Sequence, residues 1–155
     1  MLKKVKKSSY GLAIWVGIVC ILHMVLFKYK VNYNYLAIQR VFIAFAAITF
    51  TLPIHELIHF VFFKMFSKSS VKIKAGKDPI GLPCLMTVYR DDLTKWQKVL
   101  SYIGPFVFLT LLVDVSFVFC TKVDLFFFVV AVCNSAGCYF DLIDVLIILQ
   151  NKMSA

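Results

Sequence analysis

Apolar residues run in four long blocks, at positions 10–27, 41–66, 100–120 and 125–149, and polar residues collect between them. A helix needs about 20 apolar residues, with a range of about 17–25, to cross the hydrocarbon of a bilayer, and each block meets that length. The pattern predicts an all-α membrane protein with about four transmembrane helices, folded as a single domain over residues 1–155. Between the second and third blocks, residues 70–75 alternate apolar and polar, and part of 85–89 does the same. Gly76, Asp78, Pro79, Gly81 and Pro83 lie between these stretches, which is the pattern of a short hairpin-like insertion. Asp91-Asp92-Leu93-Thr94-Lys95 then reads as a helix start feeding the third span. An exposed strand edge there would suit strand addition by an extended peptide, and a basic connector held at the lipid surface is the alternative.

The apolar pattern is broken in two of the four blocks. The second contains His55-Glu56-Leu57-Ile58-His59, and the fourth contains Asn134, Asp141 and Asp144. Ionisable groups in hydrocarbon cost several kcal/mol unless something binds them, so they mark function by default. Their concentration in two spans predicts that those spans face each other around a site.

Composition sharpens this picture. The hydrophobic fraction is 61% and the charged fraction 16%, against about 45–50% and about 25% in soluble domains. The net charge of +9 does not indicate nucleic acid. The basic residues punctuate the apolar runs instead of forming a stripe beside exposed aromatics, as anionic lipid and membrane topology require. Of the 17 lysines and arginines, 13 fall before the first block, in the region from Lys64 to Lys98, or after the last block. That asymmetry predicts a multi-pass protein of the cell membrane with both termini cytoplasmic. No removable signal peptide is expected, because the run from Tyr10 to Phe27 is long and Lys28-Tyr29-Lys30 follows without a small-residue cleavage site. The five cysteines include no C-x-x-C pair, and four lie in or at the end of apolar blocks, where they read as reduced, buried hydrophobes.

His55 and His59 are one helical turn apart and project from one face, so both imidazoles can close on one metal ion with Glu56 near the water it activates. Catalytic zinc takes three protein ligands and keeps one position open. The carboxylates within the apolar blocks that could supply the third are Asp114, Asp141 and Asp144. With inward-running second and fourth spans, His55 and His59 lie about 21–27 Å from the outer face and Asp141 about 24 Å, at 1.5 Å per residue. Asp114 is near the outer end of the third span, too far away. Asp144 lies about one turn deeper than Asp141 on a neighbouring part of the same face and is the reserve ligand or an outer support. Glu56 is the candidate general base. Asn134 could hold a substrate strand or oxyanion, or serve as hydrogen-bond glue between helices. Pro53 and Gly104-Pro105 predict kinks in the second and third spans. His23, near the outer end of the first span, is expected to face an interface or the bundle and to stand outside the site.

These pieces in order resemble the site-2-protease-like intramembrane zinc metalloproteases. More closely, they resemble a family of small bacterial membrane proteins, the putative zincin peptidases. The matching segments are His55 to His59, Leu93-Thr94-Lys95-Trp96-Gln97 with Gly104-Pro105, and Asn134-Ser135-Ala136-Gly137 running to Asp141. The resemblance implies one zinc ion bound by His55, His59 and Asp141, with Glu56 catalytic. The chain departs from the site-2 proteases in lacking their Leu-Asp-Gly signature, since Leu142 follows Asp141, and in carrying Phe140 where a small residue is common.

The expected function is a membrane-embedded zinc metallopeptidase that cuts a membrane-associated or transmembrane peptide near the cytoplasmic side, with the lipid bilayer as its surroundings. The pattern implies no particular oligomeric state. The rival is a non-catalytic zincin-like membrane protein that binds a partner in an immunity, anchoring or regulatory role. A metal transporter ranks last, because four spans with a single ligand cluster offer no relay along a path.

Overall fold

A computed structural model of the chain describes residues 9–27, 30–31, 34–77, 83–89, 92–120 and 122–150. Helix α1 covers Ser9–Phe27 and α2 covers Ala37–Phe66. Strands β1 (Lys72–Lys77) and β2 (Pro83–Val88) pair antiparallel, with Ile73 opposite Thr87 and Lys74 opposite Met86. The chain returns through α3 (Lys95–Phe119) and ends in α4 (Leu125–Gly137) and α5 (Tyr139–Gln150). Several positions weighed above lie outside the described residues: Lys3, Lys4, Lys6, Lys7, Lys28, the 78–82 connection between the strands, Arg90, Asp91 and Lys152.

Helices α1, α2 and α3 are each long and apolar enough to cross a membrane, and α4 with α5 would make a fourth span. Their outer faces carry exposed Ile, Leu, Val and Phe along most of their length, including Phe45 on α2 and Val115 on α3. Such a belt suits lipid, and the helices are consistent with a multi-pass membrane protein.

The fourth block departs from expectation. It is not one straight helix: α4 and α5 are bent by 41° across Cys138. Gly137, a weak helix former, ends α4, and the Cys138 amide turns back to the carbonyls of Ala136 and Asn134. Asp141 therefore falls in the first turn of α5, where the amide-rich helix end favours a carboxylate.

The ends of α3 are fixed by their own residues. At its start, the Thr94 hydroxyl accepts from the Gln97 amide while the Gln97 side chain accepts from the Thr94 amide, a reciprocal cap. At its end, the Lys30 ammonium donates to the Phe117 and Val118 carbonyls at 2.9 and 3.0 Å. The Asp92 carboxylate accepts from the Ser67 hydroxyl and from the Lys68 and Ser69 amides, tying the end of α2 to the approach to α3. The Ser67 hydroxyl holds the Asp92 carboxyl below its ordinary value.

Two apolar clusters close the ends of the bundle. Phe27, Val31, Phe117, Val123, Leu125 and Phe128 gather beside a backbone bridge between Val31 and Val123. Phe63, Val71 and Leu93 pack at the strand end, with Tyr89 stacked on Phe63 at 4.0 Å. Helix α2 packs against α3, α4 and β2, α3 against α5, and α1 against α4.

Candidate metal centre

His55 and His59 lie one turn apart on α2, with ring centroids separated by 4.8 Å. The bend before α5 carries Asp141 to them. Its Oδ2 stands 3.1 Å from His55 Nε2 and 3.2 Å from His59 Nε2, and the two Nε2 atoms are 3.1 Å apart. Asp144 lines the adjoining cavity but is not part of this cluster. Asp114 is elsewhere, 3.3 Å from His23 Nε2. His23 itself is buried and faces the bundle.

The protonation pattern follows from the atoms behind the rings. His59 Nδ1 lies 2.8 Å from the carbonyl oxygen of Ser101. A carbonyl only accepts, so Nδ1 carries the proton and donates. In a regular helix the Ser101 oxygen would accept from residue 105, but Pro105 has no N–H. The proline thus leaves an acceptor inside the bundle, and His59 takes it.

His55 Nδ1 lies 2.9 Å from Asn134 Oδ1. The Asn134 amide nitrogen donates to the Pro105 carbonyl and to Thr110 Oγ1, both at 2.9 Å. Those bonds fix the amide's orientation, so Oδ1 accepts from His55 Nδ1. Thr110 sits in a π-helical turn, Val107–Leu111, within α3. Asn134 is buried with both ends of its amide engaged. Those bonds join Asn134 to the bundle and to His55, as hydrogen-bond glue between helices would. Gly104 lets α3 approach: a Cβ there would meet the Phe62 ring at 3.0 Å and Ile58 at 3.4 Å.

With both Nδ1 atoms donating, each ring turns its Nε2 inward towards Asp141 Oδ2. Three possible ligand atoms converge there, and Asp141 Oδ2 is buried without a hydrogen-bond partner. Such a cluster calls for a cation. Tetrahedral zinc with bonds of about 2.0–2.1 Å has ligands about 3.3–3.4 Å apart. The observed edges of 3.1–3.2 Å match that size, and a His-His-carboxylate set is an ordinary catalytic zinc donor set. The residues present fit a zinc ion.

An open cavity of about 1030 Å³ reaches the cluster. Leu12 and Val16 of α1 and Ile48 and Leu52 of α2 give it apolar walls, and Leu85, Met86 and Thr87 of β2 line another side. Glu56 also borders it. Its Oε2 accepts from the Thr87 amide at 2.9 Å and from the Thr87 hydroxyl at 3.0 Å. The edge of β2 at Thr87 is therefore occupied by Glu56, and an extended peptide could pair there only by displacing it. The four cysteines with described side chains are free thiols and none joins the metal cluster.

Sequence reasoning named His55, His59, Glu56, Asp141, Asn134 and Asp144, and the fold brings all six to one cavity. It missed Ser101, Thr110 and Thr87. For Ser101 a signal existed, since a proline four residues on always frees a carbonyl.

Residues 48–155 match the family described as "Putative zincin peptidase", which covers well over half of the chain. No curated protein and no solved structure matches. The chain belongs to that zincin peptidase family, and the family implies zinc and peptidase chemistry.

Proposed function

We propose that this member of the zincin peptidase family is a membrane-embedded zinc endopeptidase of the HExxH type, cutting a peptide bond near the cytoplasmic side of the bilayer. One observation carries the reading: Asp141 Oδ2 and the two Nε2 atoms converge at 3.1–3.2 Å with their proton-bearing sides turned outward. His55, His59 and Asp141 would hold the ion. Bound there, zinc supplies Lewis-acid polarisation of the scissile carbonyl and lowers the pKa of water to about 7.

The chain's own groups do the remaining work. Asn134 and the Ser101 carbonyl orient the two imidazoles. Glu56 accepts a proton from the attacking water as its oxygen bonds to the carbonyl carbon. When the C–N bond breaks, Glu56 returns that proton to the leaving nitrogen. The apolar cavity walls from α1 and α2 suit a membrane-associated or transmembrane peptide. The depth of the site follows from the charge asymmetry: the lysine-rich region after α2 belongs inside, so α2 runs inward and carries its motif near its cytoplasmic end.

The test is cleavage of co-expressed membrane substrates, with Glu56→Gln used to trap the bound proteins for mass spectrometry. The variant should keep zinc and lose cleavage. Equal processing by wild type and variant would remove Glu56 as the base. A folded wild type with no zinc would favour the non-catalytic, partner-binding alternative.

A further inference from the structure

We infer that Thr87, on the strand pair, is the positioning residue for Glu56. The inference rests on the peptidase reading above. A glutamate side chain has three rotatable bonds, and on a helix facing an open cavity it would sample several rotamers. General-base catalysis needs the carboxylate held within reach of the reacting water.

Among the described residues, Thr87 is the only one that hydrogen-bonds the Glu56 carboxylate. It gives two donors to one oxygen, the backbone amide at 2.9 Å and the hydroxyl at 3.0 Å. The hydroxyl also lies 3.1 Å from the Glu56 carbonyl, so its single proton is shared between the two acceptors. Oε1 accepts nothing from the described residues and remains for proton transfer. The register makes this contact possible. Thr87 stands opposite Ile73, yet its amide bonds Glu56 and not β1. The outer edge of β2 therefore faces α2 at the catalytic motif. Val71, Leu93 and Tyr89 pack beside the strand pair against Phe63, two turns along α2. The basic insertion thus acts as a splint that sets the direction of the carboxylate.

Two measurements test this on the full-length, zinc-loaded protein in detergent or nanodiscs. The first is hydrogen exchange at the Thr87 amide, which does not depend on activity. Exchange should be slow in the wild type and at least tenfold faster in Glu56→Ala. Equal rates would overturn the contact. The second is kinetics on a cleaved peptide. Thr87→Val keeps the shape and the amide but removes the hydroxyl, so kcat should fall about 10- to 100-fold, as for loss of a hydrogen bond to a charged group. KM should stay within about twofold, and Thr87→Ser should restore most of the rate. An unchanged or higher kcat in Thr87→Val, or no rescue by serine, would overturn the positioning role. A zinc-loaded wild type that cleaves nothing would end the peptidase reading and the catalytic role of Thr87 with it, while the exchange rates would still report whether the contact exists.

Discussion

His59 Nδ1 bonds the carbonyl oxygen of Ser101 at 2.8 Å, an oxygen left without its usual helical donor because residue 105 is proline. A feature that looks like a tolerated kink in a long apolar helix thereby becomes part of the candidate metal centre. The same stretch of α3 supplies the Pro105 carbonyl and the Thr110 hydroxyl that hold Asn134, and Asn134 holds His55. Both imidazoles are thus oriented from one irregular segment of α3.

Pro105→Ala should separate stability from metal binding. Alanine restores an amide that competes with His59 for the Ser101 oxygen, and it removes a helix-interior proline, which costs about 3 kcal/mol where uncompensated. The variant should unfold at the same temperature or higher. Its zinc affinity should fall about tenfold, the lower end of the usual cost of losing an outer hydrogen bond to a ligand. Competition with a chelating dye, beside thermal unfolding, checks both parts.

A second His–Asp pair, half-buried, makes the opposite prediction. His23 on α1 faces Asp114 on α3 at 3.3 Å, and His23 Nδ1 lies 2.9 Å from the Val19 carbonyl. His23 is nearly inaccessible, whereas Asp114 is about a quarter exposed. His23→Ala would strand the carboxylate in an apolar setting. Breaking a fully buried pair costs about 3–5 kcal/mol, and the partial exposure of Asp114 should reduce this to about 2–3 kcal/mol. Zinc stoichiometry should not change, because neither residue is near His55, His59 and Asp141. Unfolding in detergent with parallel zinc analysis would show a stability loss without metal loss.

Much of the centre can be read from the chain because helix geometry is regular. A rise of about 1.5 Å per residue places His55, His59 and Asp141 at one level, and the four-residue spacing sets both imidazoles on one face. The bend at Cys138 is not readable this way. Gly137 sits in an apolar run, and hydropathy is the same for a straight helix and a broken one. Without that bend, the choice between Asp141 and Asp144 stays open. The Thr87 contact is also hidden, because it depends on strand register and on which edge of β2 meets α2, and a one-residue slip would turn Thr87 away. The α3 start was legible from Asp91-Asp92-Leu93-Thr94-Lys95, and the structure adds the reciprocal Thr94–Gln97 cap that forms it.

The convergence of two imidazoles and a carboxylate fits a zinc ion, and the most direct measurement is zinc per chain by elemental analysis of purified protein and two aspartate variants. About one zinc per chain is expected in the wild type, loss of zinc in folded Asp141→Ala, and retention in Asp144→Ala. A folded wild type without zinc, or Asp141→Ala that keeps a full equivalent while Asp144→Ala loses it, would contradict the His55–His59–Asp141 centre.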